Sequence, residues 1–215
     1  MRGKTYGQLC PMARAMDVLG ERWTLLVIRE LLLGPKRFKE LLAVLPAMGT
    51  NRLSDRLKAL TEDGIVRQVQ VPVPAYELTD LGEGLRKPVL GFGLWGLRLA
   101  VDERIDPATA RAELVALSLT GLSNPDANKG AQALYEFHVG AEVFHIIVGN
   151  RDMLARSGPA PTPADIVVQC DLDTFMALAL GQLTPAAALG TGLASLLAGQ
   201  ESAFVQAFKV LRYKP

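Results

Sequence analysis

The residues best suited by type and spacing to do chemistry lie in one stretch, GTNRLSDRLKALTEDG, from Gly49 to Gly64. Thr50, Asn51, Arg52, Ser54, Arg56 and Lys58 bring hydroxyl, amide, guanidinium and ammonium groups into little more than two helical turns. Amides and guanidinium groups can bond base edges in pairs, and cations and hydroxyls can grip phosphate oxygens. Arg37 and Lys39 upstream and Arg67 downstream add cations that can serve the same chemistry. A second chemistry is offered by Cys10, a thiol before Pro11 at a helix start with Arg14 one turn on. The helix dipole and the nearby cation both favour thiolate, which suits a redox role. The other reading of Cys10 is a small buried hydrophobe. A third set is apolar. Phe137, Phe144, Ile146, Phe175, Met176 and Phe204 are candidates to line a cavity for a hydrophobic small molecule, with a filled core as the alternative.

Other chemistries find little material. No nucleophile, base and orienting group stand in order, and no cluster has metal-ligand spacing, so neither an enzyme nor a metal or cofactor is expected. Two cysteines in 215 residues exclude a disulfide framework and a Cys-rich zinc module. With Gly140-Ala141 as a turn, His138 falls opposite Val143 rather than His145, which argues against a two-histidine site. Glu136 then falls near His145. Gly190-Thr191-Gly192 lacks the preceding strand and third glycine of a dinucleotide loop.

The elements that must position these groups follow from periodicity. Pro11 opens a helix that Gly20 ends. A second helix is expected over Glu21–Leu33, with Trp23, Leu26, Val27, Ile28 and Leu31 as its apolar face. A third covers Arg37–Leu45 and stops at Pro46. In the fourth, Thr50 is the expected N-cap, and Leu53, Leu57 and Leu60 recur at i, i+4 and i+7. That spacing turns Asn51, Arg52, Asp55, Arg56 and Lys58 outward, with Ser54 at the rim. Any amphipathic helix shows such a face, so the sequel matters. Ile65–Val71 alternates as a strand, Pro72-Val73-Pro74 makes a tip, Ala75–Leu78 returns, and Thr79-Asp80 caps a helix containing Glu83, Leu85, Val89 and Leu90. Three helices, a ribbon and a closing helix describe a winged helix-turn-helix, which sends its recognition helix into the major groove.

Past Asp102–Pro107 the pattern changes. A helix is expected over Pro107–Leu119 and a loop over Ser123–Asn128. Alternating strands follow over Ala133–Val139 and Glu142–Val148, then Met153–Ser157 and Ala164–Leu172. Asp173 caps a helix, Leu193–Leu197 is a last strand and Glu201–Leu211 a last helix. The expected fold class is α+β, a winged helix-turn-helix over residues 1–101 and an α+β domain with an antiparallel sheet over 107–215. Residues 1–100 hold 15 Lys and Arg against 10 Asp and Glu, and residues 101–215 hold 8 against 12. This asymmetry favours a polyanion as partner of the first half. No signal-peptide pattern stands at the start. The uncharged run Thr174–Gln200 is broken by Pro185 and four glycines, so a cytoplasmic protein without a membrane span is expected.

Residues 10–96 resemble the HxlR-type branch of MarR-like regulators. The matching segments are CPMARAMDVLGERWTLLVIRELLLGPKRFKEL, LSDRLKALTEDGIVRQ, YELTDLGEGL and LWG. The resemblance implies a transcriptional regulator that binds double-stranded DNA as a homodimer paired through its first and last helices. The segment between Val66 and Tyr76 is short for this family, which makes Arg67 a weaker contact than Arg52. Cys10 matches a position that some members use as a sensor. Residues 110–212 resemble a sterol carrier protein type 2 domain. The matching features are the alternating hairpin, Asp171-x-Asp173-x-Phe175, Gly181-x-Leu183-x-Pro185 and Gly199-Gln200 before the last helix. Such a domain implies a lipid-like ligand. Two alternatives stay open, a lipid carrier whose helical part only dimerises and a thiol switch at Cys10.

Overall fold

The computed structural model describes residues 5–100, 102–121, 132–149 and 152–211. Cys10 holds extended backbone and Pro11 takes the first helical position of α1 (Pro11–Leu19). This helix buries none of its residues. The next, α2 (Thr24–Leu32), starts later than its periodicity predicts, because Trp23 adopts a left-handed φ of 81°. Among the described residues Trp23 is the one non-glycine with positive φ, a conformation costing about 1–2 kcal/mol.

Val27, Ile28, Leu31 and Leu32 of α2 are buried. With Leu41 of α3 (Phe38–Val44) and Leu53, Leu57 and Leu60 of α4 (Thr50–Glu62), they make the core of the first part of the chain. A 3-10 turn, Pro46–Met48, leads into α4, and Gly49 at φ 75° is its N-cap in place of Thr50. The ribbon is β1 (Val66–Val71) and β2 (Val73–Leu78), antiparallel from Val66↔Leu78 to Val71↔Val73, so the turn is tighter than the expected three-residue tip. Lys36 and Tyr76 exchange backbone hydrogen bonds of 3.0 and 2.8 Å, which ties the α2–α3 loop to the ribbon. Thr79 Oγ1 accepts from the Gly82 N–H and caps α5 (Asp80–Glu83). The single closing helix of the sequence reading is broken at Gly84 and Leu85, and α6 (Arg86–Gly96) follows.

The chain divides into two compact units, Met1–Val89 and Leu90–Pro215. In the second, α7 (Ala112–Gly121) precedes β3 (Ala133–Val139), β4 (Glu142–Val148), β5 (Met153–Ser157) and β6 (Ile166–Cys170). Then come α8 (Leu172–Ala179), α9 (Pro185–Gly190), β7 (Ala194–Gly199) and α10 (Glu201–Leu211). The strand order is β5-β4-β3-β6-β7. The expectation of an antiparallel sheet is corrected here. Strand β6 runs parallel to β3, from Tyr135↔Ile166 to Val139↔Cys170, and the sheet is mixed. The reason is the crossover after β5, which carries the chain past β4 to the far side of β3. Alternation of side chains is the same in parallel and antiparallel strands, so the sequence pattern did not reveal it. The expected Ser123–Asn128 loop lies outside the described residues. No helix among the described residues is long and apolar enough to cross a membrane.

Candidate nucleic-acid interface

The rotation of α4 about its axis is set by Leu53, Leu57 and Leu60, each 0–1% exposed. Burying that stripe leaves Thr50, Asn51, Arg52, Ser54 and Lys58 exposed. Their environments then differ. Arg56 is partly buried and lies 3.6 Å from Glu21. Lys58 sits 4.0 Å from Glu62, one turn on, a surface pair of small energetic weight. Among the described residues Arg52 pairs with no carboxylate. No side chain caps α4 either, so its first-turn N–H groups and positive dipole end add to the donors of Thr50, Asn51 and Arg52. The exposed donors of α4 thus gather in its first turn and a half.

The other predicted cations are distributed less evenly. Lys39 is exposed and, among the described residues, pairs with no carboxylate. Arg37 is exposed, with its guanidinium 3.9 Å from Glu40, whose carboxylate also accepts the Arg37 backbone N–H at 2.6 Å. Arg67 stands opposite Glu77 at the foot of the ribbon and binds it through Nε at 2.7 Å and Nη2 at 2.6 Å. Its charge is met within the ribbon, away from the tip.

Two residues that the sequence reading passed over as apolar face and background charge join the site. Arg22, Trp23, Met48, Arg52, Asp55 and Arg56 line one depression of about 540 Å³ together with Glu21 and Ala47. The Arg22 guanidinium lies over the Trp23 ring, 5.3 Å from its centroid. An arginine beside an aromatic was the only signal in the sequence. The left-handed turn that breaks the helical period there was not visible in it.

Cys10 is partly buried at the start of α1, and its carbonyl accepts the Arg14 N–H at 3.0 Å. With Tyr6, Gln8, Met12, Ala13 and Met16 it lines a depression of about 290 Å³. In the second unit Phe137, Phe144, Ile146, Phe175 and Phe204 have 0% exposure. Phe137 stacks on Phe144 at 5.4 Å, Phe175 meets both edge-on at 5.5 and 5.4 Å, and Phe208 joins Phe137 and Phe204. Met176 is the one of the six predicted residues that is only partly buried. On the opposite face of the sheet Glu136 does stand across from His145. Glu136 and His138 are 2.6 Å apart.

Comparison with known proteins bears on the first half of the chain. The HxlR-like helix-turn-helix family matches residues 18–103. The HTH-type transcriptional regulator YvaP of Bacillus subtilis is 40% identical over 107 residues, 47% of this chain and 94% of that protein. The chain belongs to the HxlR-like helix-turn-helix family. The HTH-type transcriptional regulator YodB of Bacillus subtilis is 42% identical over 92 residues, 40% of this chain and 82% of that protein. The crystal structure of quinone-bound YodB is 36% identical, covers 42% of this chain and all of that one, and superposes with a TM-score of 0.38. The HxlR-like match contains every predicted DNA-contacting residue from Arg37 to Arg67, and Arg22 and Trp23 as well. Cys10 and the six apolar residues of the second unit fall outside it.

Proposed function

We propose that this HxlR-like chain is a dimeric, sequence-specific transcriptional regulator of double-stranded DNA. Residues 1–101 grip the DNA and residues 107–215 answer to a hydrophobic small molecule. The observation that carries the reading is the first turn and a half of α4, where Thr50, Asn51, Arg52 and Ser54 are exposed on a helix whose rotation the leucine stripe locks. Arg52 and Asn51 are the base readers, since their donors are paired and unspent. Lys39, Lys58 and Arg37 are phosphate contacts, Arg56 supports α4 through Glu21, and Arg67 plays the smallest part because Glu77 holds it.

Dimer formation is supported by apolar surface that a lone chain leaves uncovered. Leu9 is 99% and Met12 66% exposed beside an α1 that buries nothing. On α6, Phe92 and Trp95 are likewise exposed. Two copies would offer two recognition helices to half-sites about 34 Å apart. The effector role is supported by the run of elements in the second unit. The β3–β4 hairpin, β6 entering Asp171-x-Asp173-x-Phe175, and β7 before α10 occur in the order that the sterol-carrier resemblance implies. A ligand there would enter beside Met176 and part the Phe137–Phe144–Phe175 cluster. Stabilising one arrangement of the dimer by ~1–3 kcal/mol would change operator affinity ~5–150-fold.

The test is fluorescence anisotropy of the full chain on DNA from upstream of its own gene, with scrambled duplex as competitor. Specific binding that Arg52→Ala reduces towards the scrambled level, while the protein stays folded, is the expected result. A chain that binds operator and scrambled DNA equally would overturn this reading in favour of a lipid-binding protein whose first unit only dimerises. Oxidant treatment of wild type and Cys10→Ser in the same assay decides the thiol alternative, which requires a loss of binding that the variant escapes.

A further inference from the structure

We infer that Arg22, laid on the face of Trp23, is a clamp for a backbone phosphate of the DNA that α4 reads. The inference rests on the DNA-binding reading and adds a contact outside the recognition helix. Arg22 is exposed and its guanidinium lies 5.3 Å from the Trp23 ring centroid. Among the described residues it pairs with no carboxylate. A guanidinium stacked on a ring keeps its in-plane N–H fork free and pre-oriented, the geometry that suits a phosphate. Trp23 is the N-cap of α2, and its left-handed backbone leaves Glu21 and Arg22 outside the helix. Strain of that kind persists where surroundings over-determine it and gathers at ligand clamps.

Position supplies the other half. Arg22 shares its depression with Arg52, Asp55 and Arg56 of α4, so a strand running past the reading end of that helix meets it. The charges in the depression are few enough to weigh. Glu21 is engaged by Arg56 at 3.6 Å. That leaves Arg22 and Arg52 against Asp55, a positive remainder. Asp55 is on α4 beside Arg52, where a carboxylate can accept from a cytosine amine, and the phosphate goes to the Arg22 side. The same chemistry would accept a free phosphate ion, so the test separates the two.

Anisotropy titrations of the full chain with a labelled 30-base-pair duplex of random sequence, over a series of chloride concentrations, give the slope of log affinity against log salt. Each phosphate contact contributes about 0.9 to that slope. Arg22→Ala is expected to flatten it by about that amount and to weaken binding roughly ten-fold at low salt. Random and preferred sequences should weaken alike, because a phosphate contact carries no base preference. Arg22→Lys should restore most of the slope. Thermal melts of both variants should match wild type, since the side chain is exposed. A steep wild-type slope that Arg22→Ala leaves unchanged would overturn the clamp alone. A flat wild-type slope would overturn the DNA-binding reading together with it. Inorganic phosphate should displace DNA no better than chloride at equal ionic strength. An Arg22-dependent displacement by millimolar phosphate would assign the site to the free ion instead.

Discussion

Cys170 and Asp171 are neighbours with opposite tendencies. The Cys170 thiol ends β6 in the core, and burial, helped by the Asp171 charge, pushes it up to about 11. At pH 8 about one molecule in a thousand is then thiolate, and reactivity follows thiolate. A thiol titration of the native chain should therefore show one fast cysteine, and Cys10→Ser should remove it. A fast thiol surviving in that variant would contradict the burial. Asp171, not the expected Asp173, is the N-cap of α8, because the helix starts at Leu172, and its carboxylate accepts the Thr174 N–H at 2.7 Å. Hydrogen bonding from Thr174 holds it below the usual carboxylate range. Asp171→Ala should cost about 1 kcal/mol at pH 7. A group depressed on folding stabilises above its unfolded value, near 3.9 for aspartate, and the benefit is lost as pH falls through the folded value. Urea melts should thus show the deficit of Asp171→Ala at pH 7 and a smaller one at pH 2.5. A deficit constant with pH would mean that the cap is not ionised. At this scale a residue's type was legible but its partner was not. Arg67 and Glu77 are ten apart in the chain and meet only because the ribbon's register sets them opposite.

Among the elements, α4 was the most legible. Three leucines at i, i+4 and i+7 announced both the helix and its outer face, and the structure buries all three. Leu57→Ala should cost about 2–5 kcal/mol and weaken DNA binding through loss of the locked rotation, read by chemical melts and anisotropy together. The ends of elements were less legible. Trp23 shortens α2, and Gly84 with Leu85 divides the closing helix. The short α5 is pinned by close approach, since a Cβ on Gly82 would stand 2.2 Å from the Ile65 carbonyl oxygen and 3.1 Å from Leu78. Gly82→Ala must push α5 off the ribbon, at about 1–3 kcal/mol. Calorimetry should show a transition several degrees lower, and an unchanged melting temperature would mean that the contact yields freely.

At the scale of the whole chain, the exposed residues Leu9, Met12, Phe92 and Trp95 ask for cover. A double change, Leu9→Glu with Met12→Glu, is expected to shift the light-scattering mass from about twice 23.2 kDa towards that value. Operator affinity should fall with it and the melting curve should remain. A wild type that already runs at the single-chain mass would remove the dimer from the proposal. The charge asymmetry between the halves, +5 over residues 1–100 and −4 over 101–215, belongs to this scale too. It is the asymmetry expected if a polyanion meets the first half of the chain.

Local patterns were enough for what depends on neighbours in the chain. Helices, strands, the Thr79 cap and the outer face of α4 all follow from spacings of two to seven residues, because backbone hydrogen bonding and amphipathic burial act over that range. What depends on approach between distant segments was decided only in three dimensions. The parallel pairing of β6 with β3, the ion pair between Arg56 and Glu21, and the depression that joins Arg22 to Arg52 are of this kind. Many pairings of alternating strands or surface charges satisfy the same local pattern. Only simultaneous packing of the two cores selects one of them.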